Sequence, residues 1–104
     1  MISSFEDVWL AIAGKVHAGE EIKNWGGAHG YTGRTFKIEE VSNSWIRVFG
    51  ERMTESRMVS KGDFGKIYAV WDQYISGNYP RGRLRFLSQN LTYILSIFRH
   101  IIGE

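Results

Sequence analysis

The chain has 104 residues, of which 43% are hydrophobic and 23% charged, with one proline and no cysteine. That length and balance fit a single folded domain spanning residues 1–104 and exclude a disordered or collagen-like chain. The lack of cysteine excludes disulfides, thiolate nucleophiles and thiolate-bound zinc. The formal net charge of +2 hides a division: residues 1–56 hold six Lys/Arg against eight Asp/Glu, whereas residues 57–104 hold seven against three. An anionic partner is therefore sought in the second half.

The first seven residues place Glu6 and Asp7 where a secretory peptide carries positive charge. The least charged stretch, Phe86 to Phe98, contains Ser88, Gln89 and Asn90 and falls short of the roughly 20 apolar residues of a membrane span. A cytoplasmic protein with no membrane partner is expected.

In chain order, Phe5, Val8, Trp9, Ile12 and Val16 recur at helical spacing behind Ser3-x-x-Glu6 and Ser4-x-x-Asp7, which predicts a helix over about residues 4–18, with Gly19 as its stop. Residues 24–34 hold four glycines and no periodic apolar face and read as a loop. Thr35 to Glu39 alternates, Ser44 to Phe49 is rich in aromatic and β-branched residues, and Ser42-Asn43 between them signals a turn, so a hairpin follows. Arg57-Met58-Val59 is a short third strand at most. Ser60-x-x-Asp63 then caps a helix whose buried face is Phe64, Ile67, Tyr68, Trp71 and Ile75, ended by Gly77-Asn78.

The last segment allows two readings. Leu84, Leu87, Leu91, Ile94, Leu95, Phe98, Ile101 and Ile102 fit one stripe of a helix from about Pro80 to Ile102, with Arg81, Arg85, Gln89 and Thr92 on its polar face. Alternatively, Ser88 caps a shorter helix and Arg81 to Leu87 form a basic loop. Either reading gives an α+β fold: an N-terminal helix, a Gly-rich loop, a two- or three-stranded antiparallel sheet, and a C-terminal helical pair packed on one sheet face.

The chemistry-bearing residues fall into a few groups. His17, His29 and His100 lie in three separate elements without metal-ligand spacing, so neither a metal nor a cofactor is expected. Trp25, His29, Tyr31 and Arg34 cluster in the Gly-rich loop and form a candidate ligand-binding or ribonuclease-like set, with His29 as base and Arg34 as anion clamp. Gly27, Gly30 and Gly33 lack the pattern of a nucleotide-binding loop and precede a strand, which leaves turn geometry as their reading. Trp9, Phe64, Tyr68, Trp71 and Phe98 fall on core stripes, whereas Trp25, Tyr31, Tyr74 and Tyr79 do not and read as surface aromatics. The strongest signal is Tyr79-Pro80-Arg81-Gly82-Arg83-Leu84-Arg85 followed by Ser88-Gln89-Asn90. Arginine forks match phosphate oxygens and the guanine edge, and Gln and Asn pair with adenine. A solvated helix face, or arginines paired with the acidic first half, would use the same residues.

The pattern Arg57, Lys61-x-Asp63-Phe64, Trp71-x-x-Tyr74-x-x-Gly77, Arg81, Ser88-x-Asn90-x-x-Tyr93-Ile94 resembles small uncharacterised bacterial proteins associated with mobile elements, of the integron gene-cassette or restriction-associated type. The resemblance covers residues 57–95, brings no catalytic residues with it, and implies a bacterial accessory protein acting near DNA. The expected function is thus a non-enzymatic binding module contacting nucleic acid through Arg81, Arg83, Arg85, Gln89 and Asn90. The alternatives are a homodimeric or protein-interaction module using Ile94, Ile97, Phe98, Ile101 and Ile102, and the His29-loop reading above.

Overall fold

The computed structural model describes residues 4–25, 30–50 and 53–102. Helix α1 (Phe5–Lys15) is followed by strands β1 (Glu21–Trp25), β2 (Tyr31–Val41), β3 (Trp45–Gly50) and β4 (Arg57–Ser60), then by helices α2 (Lys61–Tyr68), α3 (Trp71–Ile75), α4 (Arg81–Leu84) and α5 (Leu91–Ile102). The class is α+β as expected, but the sheet has four antiparallel strands in the order β1-β2-β3-β4, where two or three were expected. The C-terminal pair is resolved into four helical segments.

Local chemistry accounts for the elements. Ser4 Oγ accepts the Asp7 backbone N–H at 3.2 Å and acidic residues occupy the first turn, which satisfies the start of α1 and favours its dipole. The helix stops at Lys15, before the expected residue 18, because Val16 is already extended and Gly19 turns the chain at φ +90°.

The expected loop over residues 24–34 is largely strand. Ile22 pairs with Phe36, Lys23 with Thr35 and Trp25 with Tyr31, with a register shift between Lys23 and Trp25. Gly33, at φ +87°, sits within the longer stretch of β2 opposite that shift, so the glycine serves a bulge and does not end the strand. Residues 26–29, including His29, lie outside the described residues.

Alternation along the strands sends Ile22, Phe36, Ile38, Ile46, Val48 and Val59 into the core, each almost fully buried. The opposite face carries cross-strand charge pairs, among them Glu21 beside Lys37 and Glu40 bound by Arg47 Nη1 at 2.8 Å. All helices on the core side contribute buried side chains: Val8, Trp9 and Ile12 from α1, Phe64 and Ile67 from α2, Trp71 from α3, Leu84 from α4, and Leu91, Ile94, Leu95, Ile97 and Phe98 from α5. Phe98 is the hub of the aromatic cluster, meeting Phe64, Tyr68 and Trp71 with ring centroids 5.3–6.0 Å apart.

Two helices depart from their expected course. The stretch after Ser60 breaks at Ala69-Val70, where Val70 leaves helical dihedrals, so Trp71 turns inward while Ile75, expected in the core, is 51% exposed. The last segment is closer to the second reading: after Pro80, α4 is a single turn, and α5 begins only at Leu91. Ser88 does take part in the new start, its Oγ accepting the Asn90 N–H at 3.0 Å.

α5 is fastened to β1. The Trp25 backbone N–H donates to Ser96 Oγ at 2.8 Å, and that hydroxyl donates to the Thr92 carbonyl at 2.7 Å. Trp25, expected at the surface, is consequently buried, with its ring near Trp71 and Tyr74. At the far end of α5, His100 Nε2 lies 2.9 Å from Glu20 Oε2, and Glu20 Oε1 accepts the His17 backbone N–H at 3.0 Å. Partial burial is the largest influence on the Glu20 carboxyl and pushes it up. The hydrogen bonds from the His17 backbone and the His100 ring, with the charge of both imidazoles, together outweigh burial and hold the group below its ordinary 4.5. No helix among the described residues is long and apolar enough to cross a membrane.

Three substitutions test these contacts through stability. Ser96→Ala leaves the buried Trp25 N–H without its acceptor and should cost about 1–3 kcal/mol in urea unfolding. Ser76→Ala, at an exposed site, should stay within about 0.5 kcal/mol. Because folding favours the ionised form of Glu20, its contribution is complete above pH 4.5 and is lost as the pH falls below that value. Glu20→Gln should therefore flatten the dependence of stability on pH below 4.5, as measured by unfolding on either side of it.

Candidate functional site

The site grows out of the way the chain is anchored between α4 and α5. Leu84 is fully buried and Leu87 packs against the core, so the two residues between them, Arg85 and Phe86, project outward. Tight backbone bonds from Phe86 to Arg83 (3.3 Å) and from Leu87 to Leu84 (2.9 Å) hold this turn. Phe86 is 89% exposed, the most exposed of the large apolar side chains described. A singly exposed apolar side chain is ordinary on a protein surface; what distinguishes Phe86 is its place on a hydrogen-bonded turn beside basic and amide side chains.

The turn is then secured at Ser88, which is buried. Its Oγ–H donates to Asp63 Oδ2 at 2.8 Å while the oxygen accepts from Asn90, joining the first turn of α2 to the start of α5. Asp63 is itself fixed, since Ser60 Oγ caps α2 by accepting its backbone N–H at 3.2 Å. Arg57 Nη1 reaches Asn90 Oδ1 at 3.5 Å from β4. Between Asp63 and the segment Arg85 to Asn90 lies an open cleft of about 400 Å³.

Of the five residues expected to contact nucleic acid, Arg85, Gln89 and Asn90 are brought together along this cleft. Arg83 stands beside it on α4, exposed, with its guanidinium 5.4 Å from the centre of the Tyr79 ring. That stacking limits the rotamers of the arginine without neutralising its charge. Arg81 is different: it is half-buried, and its Nη1 is enclosed without a hydrogen-bond partner. Of the three arginines only Arg83 and Arg85 are solvent-facing, Arg85 lying at the C-cap where α4 has ended. Sequence reasoning missed Phe86, Asp63 and Ser88. Phe86 could have been found, since it falls off the apolar stripe of every neighbour, whereas the Asp63–Ser88 bond spans 25 residues and leaves no local trace.

The second candidate set is dispersed. Trp25 is in the core, Tyr31 is exposed on the neighbouring strand, Arg34 lines a small cleft of about 70 Å³ with Asn24, Thr35 and Tyr93, and His29 lies outside the described residues. Nor is the apolar face of α5 open to a partner: Ile94, Ile97 and Phe98 are fully buried within the chain, Ile101 is partly buried, and only Ile102 is exposed, at 40%. Among the described residues no group of three or more His, Asp or Glu side chains is placed to hold a metal ion.

The main cleft thus offers an exposed aromatic face, one solvated guanidinium, two amides and one carboxylate, with Arg83 beside it on α4. It is equipped to stack a planar group and to bind an anion beside it. No protein-family model, curated protein or solved structure matches the chain.

If Phe86 serves a ligand and not the fold, Phe86→Ala should change stability by less than about 0.5 kcal/mol. Leu84→Ala, two residues away, should cost about 2–5 kcal/mol. Chemical denaturation of the two variants beside the parent protein provides the comparison.

Proposed function

We propose that the protein is a non-enzymatic module that binds single-stranded nucleic acid along the turn between α4 and α5. The observation that carries this reading is the 89% exposure of Phe86, held between Arg85 and a polar cleft and close to Arg83. Arginine forks bind phosphate oxygens bidentately. An exposed aromatic ring gives unpaired bases a stacking surface that a duplex cannot use, because its bases are already stacked on one another. Gln89 and Asn90 add groups able to contact base edges.

Charge distribution supports the same reading. The half of the sequence containing the turn carries seven basic residues against three acids, and nothing acidic lies between Lys66 and Arg99 except Asp72. The turn also falls within the stretch that resembles small bacterial proteins of mobile elements. Self-association through α5 is disfavoured because its stripe is consumed inside the subunit.

Fluorescence anisotropy with a short labelled single-stranded DNA tests the proposal. Affinity should fall steeply with salt, and removing Arg83 and Arg85 together should reduce the logarithmic salt slope by about 1.4, at about 0.7 per phosphate contact on a single strand. Phe86→Ala should weaken binding by about 1–3 kcal/mol at all salt concentrations, since stacking is not screened. An absence of binding at low salt, or an affinity indifferent to all three substitutions, would overturn it.

A further inference from the structure

The carboxylate of Asp63 is out of place on a surface that attracts phosphates. A negative group beside Arg85 weakens the local positive field and repels the backbone of any strand lying over the turn. Its hydrogen bond to Ser88 explains one of its two oxygens, Oδ2, which accepts the Ser88 O–H with an O···O distance of 2.8 Å. The other, Oδ1, has the Lys66 ammonium 3.9 Å away, beyond hydrogen-bond reach. The Asp63 side chain is 26% exposed and lines the cleft that Phe86 borders, and Oδ2 keeps a second lone pair beside its bond to Ser88, so the carboxylate has acceptor capacity on both oxygens. The Ser88 bond and the helix cap at Ser60 fix the direction in which the carboxylate faces.

We infer that the cleft is a subsite for one unpaired guanine base of the bound strand, with the Asp63 carboxylate reading its Watson–Crick edge and Phe86 stacking on the base or its neighbour. This rests on the nucleic-acid reading above and adds base preference to it. The chemistry selects guanine. An ionised carboxylate only accepts, so it pairs best with an edge presenting two adjacent donors. Guanine offers the N1–H and the 2-amino group side by side. Adenine and cytosine offer one amino group next to an unprotonated ring nitrogen, whose lone pair the carboxylate repels, and thymine or uracil offers one N–H between two carbonyls.

The remaining edge fits as well. Guanine O6 needs a donor, and the amides of Gln89 and Asn90 line the same cleft. Arg57 lies at Asn90 Oδ1, which leaves the Asn90 amino group to donate. The cleft, at about 400 Å³, falls in the range of small-ligand sites, roughly 300–1,000 Å³. Arg85 then meets the phosphate attached to the stacked nucleotide, and the repulsion from Asp63 is confined to strands without a guanine in register.

The test varies one position in an otherwise thymidine strand, comparing guanine, inosine, adenine and thymine by anisotropy at fixed salt. Inosine is guanine without the 2-amino group and keeps N1–H and O6. The guanine strand should bind about tenfold more tightly than the adenine or thymine strands, within the discrimination expected of one bidentate base contact, with inosine intermediate. Asp63→Asn should collapse the ratio of guanine to inosine affinity, while circular dichroism reports whether the variant remains folded. The comparison of strands on the unaltered protein holds even if the variant does not fold. Equal, salt-dependent affinity for all four strands would overturn the guanine subsite and leave the nucleic-acid reading standing. No binding to any strand would overturn both.

Discussion

The hydrogen bond from the Trp25 backbone to the Ser96 hydroxyl fixes how the rest of the molecule is assembled. A strand at the margin of a sheet has backbone groups that its neighbour does not satisfy, and burying them is expensive. Here the helix that covers the margin supplies the missing acceptor from a serine, one of two polar residues described as fully buried. Once α5 is locked beside β1, its apolar stripe lies over the inner face of the sheet and Phe98 reaches three aromatic rings from α2 and α3. The position of the first turn of α5, and with it of Ser88, Gln89 and Asn90, follows from that docking.

The functional surface is therefore produced by constraints that have little to do with a ligand. Leu84 and Leu87 enter the core, the intervening turn has nowhere to hide Arg85 and Phe86, and the Ser88–Asp63 bond keeps the turn from relaxing into an apolar contact. Preorganisation of this kind lowers the entropy lost on binding, because the side chains project from a segment whose backbone is already hydrogen-bonded. The arginines are unequal. Arg81, at the start of α4, is half-buried against the protein, while Arg83 and Arg85, the latter already at the C-cap, remain in solvent.

Where signals were local, the sequence was legible. Caps at Ser4 and Ser60, the hairpin around Ser42-Asn43 and the core positions of Trp9, Phe64, Trp71 and Phe98 all rest on interactions within a few residues or on simple periodicity. β1 was not legible, because five residues ending in Asn24-Trp25 give too short an alternation and glycine usually marks a loop. Only pairing with β2, where Gly33 absorbs a bulge, makes that stretch a strand. Trp25 was misplaced for the same reason. At the site, the basic residues could be read from composition, but the division between Arg81 and its neighbours, and the partnership of Asp63 with Ser88, depend on the path of the chain between α2 and α5.

The two margins of the sheet are protected in different ways, and this governs how the protein would fail. β4 is only four residues long and carries Arg57 exposed, a poor template for a further strand. β1 is also short and carries Glu21 and Lys23 exposed, but it ends in a buried tryptophan whose backbone is covered by a helix from the other end of the chain. Loosening of α5 bares an aromatic strand edge and an apolar sheet face together. The turn leading into α5 is thus coupled, through that helix, to a strand at the opposite end of the sequence.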